Sequence, residues 1–290
     1  LGFDWGAVTA WPGDLPQRSP AAAGTVFHRR GNEVGTLTID DGGYGGGDGR
    51  ALGFDPSDAT LTLDVNLIVG GTSRLALTSP LEVNELRLED AAVLTHLETT
   101  GAYQGGLTVI ADRVHIGPAA AIDVSGRGYL GDCSPGDPSC GGGAHSLGLD
   151  QSIGARQRAG GSHGGLGAGP AGRTFGDPFA PTTLGGGGGF GNGNGEPGGD
   201  GGGRVRLVTG RLELEGAIRA LGADAPDQVA RNGSGGAGGS VYVSATTLTG
   251  VGAIDAGGGD SALAGGAGGG GGRVALVYTT LAGLDPNRVT

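Results

Sequence analysis

The feature that most constrains this chain is a repeated unit of short apolar strands bounded by glycine. Gly203–Asp224 reads GRVRLVTGRLELEGAIRALGAD, and Gly239–Asp260 reads GSVYVSATTLTGVGAIDAGGGD. Val205, Leu207, Leu212 and Ile218 in the first recur as Val241, Val243, Leu248 and Ile254 in the second. An earlier copy opens at Leu107, with Val109, Val114 and Ile116, and continues as AIDVSG at Ala121–Gly126. A later one begins GGGRVALV at Gly270–Val277, with Leu281 in the matching place. Val205, Val241 and Val274 are spaced by 36 and 33 residues. One such unit cannot bury its own apolar face, so the repetition implies stacking of units on one another.

Glycine is the second constraint, at 70 of 290 residues. A strict G-x-y period is absent and proline numbers only 14, which excludes collagen. Val, Leu and Ile fall in alternating runs, the mark of strands with one buried face. Thr25–Phe27, Thr36–Asp40, Thr60–Val69, Leu75–Leu77, Leu81–Val83 and Leu86–Leu88 read as strands, with Leu61, Leu63, Val65 and Leu67 on one face. Asp90–Leu97 fits either a turn of helix or a strand. No two-residue Asn-Gly hairpin turn joins the strand pairs, which argues against a sandwich or propeller. The expected fold is therefore all-β: a right-handed parallel β-helix, or solenoid, with long glycine-rich, polyglycine-II-like loops. Residues 1–24 read as an extended lead-in, cap or subunit-docking segment. Residues 25–290 read as one solenoid domain interrupted by a Gly/Pro-rich insertion at about 129–203.

VYVSATTLTGVGAIDAGGGD, GGGGGRVALV and GGSHGGLG at Gly160–Gly167 resemble the Gly-rich β-helical segments of large bacterial surface proteins and adhesins. The resemblance covers Leu61 to Thr290 and is one of architecture. It implies right-handed β-helix coils and a stalk, fibre or adhesive role, and it carries no functional residues. The glycine runs alone are similar to the polyglycine-II sandwich of some phage adhesins.

Composition narrows the chemistry. The net charge of −11 disfavours nucleic acid and anionic membrane as partners. No apolar run reaches the length of a membrane span. All 18 basic residues are arginine, so Schiff-base and other lysine chemistry is excluded, and with it a P-loop. Without Met, the chain reads as a mature form or a piece of a longer one. Cys133 and Cys140, in CSPGDPSC, are expected to form a local disulfide, which places the chain outside the cell, secreted or at the surface. Phe3, Trp5 and Trp11 are the candidates for docking onto a neighbouring subunit, because an aromatic tail left exposed is a liability.

Asp40, Asp41 and Asp48 in DDGGYGGGDG, with Asp255 and Asp260, suggest acidic turns; an isolated calcium ion is the alternative, although no tandem G-G-x-G-x-D-x-U-x motif is present. His28, His96, His115, His145 and His163 lack zinc spacing. Ser162 and His163, adjacent in sequence, are poorly placed for nucleophilic catalysis. No catalytic residue, cofactor or metal ligand is assigned. The remaining enzymatic option is polysaccharide cleavage by carboxylates in a groove, with Glu213, Glu215, Asp123 and Asp255 as candidates and Arg206 and Arg211 beside them. Against it stands the solvated-face reading of the same residues. Two functions follow: an extracellular structural or adhesive β-helix module, whose partner is itself in a fibre stacked end to end, or a β-helix protein that binds or degrades surface glycans.

Overall fold

The computed structural model describes residues 8–12, 22–43, 60–100, 103–133, 154–155, 158–169, 172–191, 197–226, 233–261 and 265–290. The strands are β1 (Thr25–His28), β2 (Gly35–Asp40), β3 (Leu61–Gly70), β4 (Arg74–Leu77), β5 (Leu81–Leu88), β6 (Val93–His96), β7 (Leu107–Ile116), β8 (Ala121–Asp123), β9 (Arg204–Leu214), β10 (Ala217–Arg219), β11 (Ser240–Thr249), β12 (Ala253–Asp255) and β13 (Arg273–Ala282). A 3-10 turn at Pro286–Arg288 follows. The segment around Asp90–Leu97 is strand β6, not helix.

These strands make two sheets. The first has eight strands in the order β1-β2-β3-β5-β7-β9-β11-β13, and the second has five in the order β12-β10-β8-β6-β4. All pairings are parallel except β1 with β2, which is antiparallel. This corrects the expected right-handed parallel β-helix. The layout is two parallel-rich sheets with open edges, not a closed solenoid. The physical reason lies in the glycine. A closed coil needs every side to carry side chains that alternate and join a ladder. Here the returns from β8 to β9, from β10 to β11 and from β12 to β13 are glycine-rich, so they leave the sheets. The repeat encodes one long strand for the first sheet, one short strand for the second, and that return.

The apolar residues stack in register. One column runs Leu61, Leu81, Val109, Leu207, Val243, Leu276, and a second runs Leu67, Leu86, Val114, Leu212, Leu248, Leu281. In the smaller sheet Leu75, Leu94, Ile122, Ile218 and Ile254 do the same. Most members are fully buried, and together they form the main core. Each buried Leu or Ile contributes about 1.5–3 kcal/mol by leaving water.

Alternation switches phase midway along the long strands. In β9 the inward residues are Val205, Leu207 and Thr209, then Leu212 and Leu214; in β11 they are Val241, Val243 and Ala245, then Leu248. In β3 an extra residue produces a bulge between Leu63 and Asn66. In β5, β7, β9 and β11 two consecutive residues, Asn84 and Glu85, Asp112 and Arg113, Gly210 and Arg211, and Thr246 and Thr247, therefore face outward at the same height.

The glycine-rich segments lie side by side and bond backbone to backbone. Gly128 N–H donates to Gly201 O (2.6 Å), Gly185 to Gly202 O (2.8 Å), Gly202 to Ala237 O (2.8 Å), Gly238 to Gly270 O (2.9 Å) and Gly270 to Gly161 O (2.9 Å). Buried backbone groups require such partners. The close approach needs glycine: a Cβ on Gly201 would overlap the Gly185 carbonyl, and one on Gly238 the Ala256 carbonyl. A small second core of Tyr129, Leu130 and Leu184, with Phe175 against it, sits within this insertion.

Candidate functional site

The phase switch creates a recess on the outer face of the larger sheet. Beside this switch, residues of β3, β5, β7 and β9 frame a cavity of about 350 Å³, lined by Thr62, Asp64, Glu82, Asn84, Asp112 and Thr209, with Ile110 and Val208 as apolar wall. Asn84 Nδ2 donates to Asp64 Oδ1 at 2.9 Å, and Thr62 Oγ1 to Glu82 Oε2 at 3.3 Å. The Thr209 hydroxyl reaches the carbonyls of Asp112 (3.2 Å) and Arg211 (3.0 Å). The recess thus offers carboxylate and amide oxygens beside an aliphatic wall, which suits hydroxyl groups on one side and C–H groups on the other. The sequence signal for it was two polar residues between inward apolar ones, as in Ala111-Asp112-Arg113-Val114.

The carboxylates expected to share a groove do not meet. Glu213 lies on β9 in the larger sheet, 3.5 Å from His115 Nδ1, and Glu215 is exposed just beyond that strand. Asp123 and Asp255 lie in the smaller sheet, where Arg219 is in register between them and its guanidinium is 3.9 Å from Asp123. Each aspartate also accepts a backbone N–H two residues on, from Ser125 and Gly257 (both 2.9 Å), which fixes a turn. Arg206 stacks over the Tyr242 ring at 4.9 Å, and Arg211 is exposed beside Arg113 in the ladder.

The acidic turn at Asp40–Asp41 is built from hydrogen bonds. Asp41, fully buried, accepts from Gly43 N (2.9 Å), Thr72 N (2.8 Å) and Thr72 Oγ1 (2.6 Å), while Asp40 accepts from Gly42 N (2.7 Å). Asp260 N donates to Asp224 Oδ1 at 2.6 Å. Asp48 lies outside the described residues. Among the described residues no three His, Cys, Asp or Glu side chains converge on a point that could hold a metal ion.

His163 and His96 are held in the packed interior by their contacts. His163 Nδ1 faces Gly238 O at 2.9 Å and so carries the proton, leaving Nε2 to accept from Thr183 Oγ1 at 2.8 Å. Burial lowers its pKa to about 4. Ser162 Oγ accepts from Gly167 N at 3.0 Å instead of facing His163. His96 donates from Nδ1 to Leu97 O at 2.7 Å, and burial likewise lowers its pKa to about 4. His145 lies outside the described residues.

Cys133 is disulfide-bonded; Cys140 lies outside the described residues. So do Phe3 and Trp5. Trp11 is half-exposed, and its ring packs on Gly42 beside the larger sheet, where Val8–Trp11 line a shallow recess with Val26, His28, Thr38 and Asp40.

Comparison of the chain with known protein families, with curated proteins and with solved structures found no match to any of them.

Proposed function

We propose that this chain is a structural or adhesive module of an extracellular surface, akin in role to the Gly-rich surface and adhesin-type proteins its repeats resemble. The observation that carries the reading is the glycine layer. Segments far apart in sequence pack at distances that exclude any side chain, and their buried N–H and C=O groups bond to one another. Close packing of this kind yields a stiff body with low compressibility. Such a body suits load-bearing or display, and neither needs a reactive group. Beads coated with the chain test it: adhesion to cell-surface or abiotic material without turnover of any polysaccharide is expected. Release of reducing ends or unsaturated uronates from a polysaccharide panel would overturn the reading.

A second reading, glycan binding, is favoured by the recess at Asp64, Glu82 and Asp112. Its hydroxyl-matching oxygens beside Ile110 and Val208 are the chemistry that sugars require. A glycan array separates the two: retained binding that Asp64→Asn or Asp112→Asn abolishes supports the second reading, and an array without hits refutes it.

A further inference from the structure

The two ends of the larger sheet differ. At one end β1 reverses direction, spans four residues, and is tied to the lead-in by the Gly24 N–H to Ala10 O bond (2.9 Å). At the other end, among the described residues, β13 pairs only with β11 and presents ten residues of open edge. Its apolar side chains are uncovered: Val277 is 51% exposed, Tyr278 45% and Leu281 36%. The smaller sheet is closed off at this end, because Val289 bridges Ile254 and Thr290 exchanges backbone bonds with Ile254 (2.9 Å) and Ala256 (2.7 Å). Exposed edge strands are ordinarily blunted by proline, bulges or charge. In β13 the single charged residue is Arg273, at its first position.

We infer that β13 pairs antiparallel with β13 of a second copy, about a two-fold axis through Leu276, to form a closed dimer. The inference rests on the structural reading above and names what such a module joins to. The edge matches itself. Arg273 N–H donates to Gly239 O (2.9 Å), so alternation turns the backbone groups of Val274, Leu276 and Tyr278 to the open side. A two-fold axis at Leu276 sets Val274 against Tyr278 of the second copy, Leu276 against Leu276, and Ala275 against Val277. Inward residues then meet inward ones and outward residues meet outward ones. The phase switch at Thr279 limits the overlap to Arg273–Thr279. The two Arg273 side chains fall at opposite ends of that overlap, about 20 Å apart, so the pairing brings no like charges together. The β1 and β4 edges, four residues each, offer no comparable match in length, so pairing through β13 gives a closed pair and not a fibre.

Sedimentation velocity on the whole chain from about 1 to about 100 µM tests this. A concentration-dependent monomer–dimer equilibrium with nothing larger is expected. Val277→Lys, whose side chain points away from the core, weakens dimerisation at least about tenfold. Leu276→Cys gives a covalent dimer on oxidation, seen on a non-reducing gel. A monomer throughout the range, open-ended polymers, or a dimer that ignores both substitutions overturns the inference. The adhesion and turnover assays are read independently, so a monomer here leaves the functional proposal standing.

Discussion

Gly201→Ala probes the glycine layer where its geometry is tightest. The Gly201 N–H donates to Tyr129 O at 2.9 Å, and its carbonyl accepts from Gly128 N at 2.6 Å. A Cβ there would overlap the Gly185 carbonyl and lie 3.0 Å from Gly186 O, and both obstacles are backbone, so no side chain can swing away. The neighbouring segments must separate. Loss of two backbone hydrogen bonds costs about 2 kcal/mol, and overpacking adds about 1–3 kcal/mol, for a total of about 3–5 kcal/mol. Gly271→Ala is the matched control, because nothing lies within 4 Å of its Cβ position. That change is expected to be neutral, or to stabilise by up to about 1 kcal/mol through the unfolded state. Guanidinium unfolding followed by circular dichroism gives both values from the midpoints. A Gly201→Ala cost under about 1 kcal/mol, or one equal to that of Gly271→Ala, refutes the packed layer.

Leu212→Ala in the middle of its column is expected to cost about 2–5 kcal/mol, and Leu281→Ala at the exposed end of the same column under about 1 kcal/mol, by the same unfolding measurement. The fold is expected to be acid-labile. With folded-state pKa values of about 4, His96 and His163 stay neutral while the unfolded chain takes up protons near pH 6.5, so stability falls as pH drops from about 6.5 to 4. Each contributes up to a few kcal/mol to that loss, and His163→Gln flattens the pH dependence of the unfolding midpoint if the sign is right. Thr72→Val leaves the buried Asp41 carboxylate without its 2.6 Å hydroxyl donor, and a loss of about 1–3 kcal/mol is expected in thermal unfolding.

The ladder was largely legible in the sequence. Val205, Val241 and Val274 occupy one register position, as their offsets implied, and the I-x-A endings at Ile218 and Ile254 pair directly. The closure of the fold was not legible. Strand alternation shows where ladders form but carries no information on how glycine returns from one to the next, since glycine has no side chain whose period can be read. The partners of Gly128, Gly185 and Gly202 (Gly201, Gly202 and Ala237) lie 17 to 73 residues away along featureless sequence. The recess is illegible in the sequence for a related reason. Asp64, Asn84 and Asp112 come from three strands, and only the shared register of the phase switch puts them at one height. Glu213 and Asp123 illustrate the opposite error: similar residues in similar repeats, separated because they belong to different sheets.

The central claim is that the glycine-rich segments are a packed layer as ordered as the sheets. Amide hydrogen exchange tests it residue by residue. The N–H groups of Gly185, Gly188, Gly199, Gly202, Gly238 and Gly270, all bonded to backbone carbonyls at 2.8–2.9 Å, are expected to exchange as slowly as those of β9 and β11. Exchange of these glycines within seconds while β9 and β11 remain protected would contradict it.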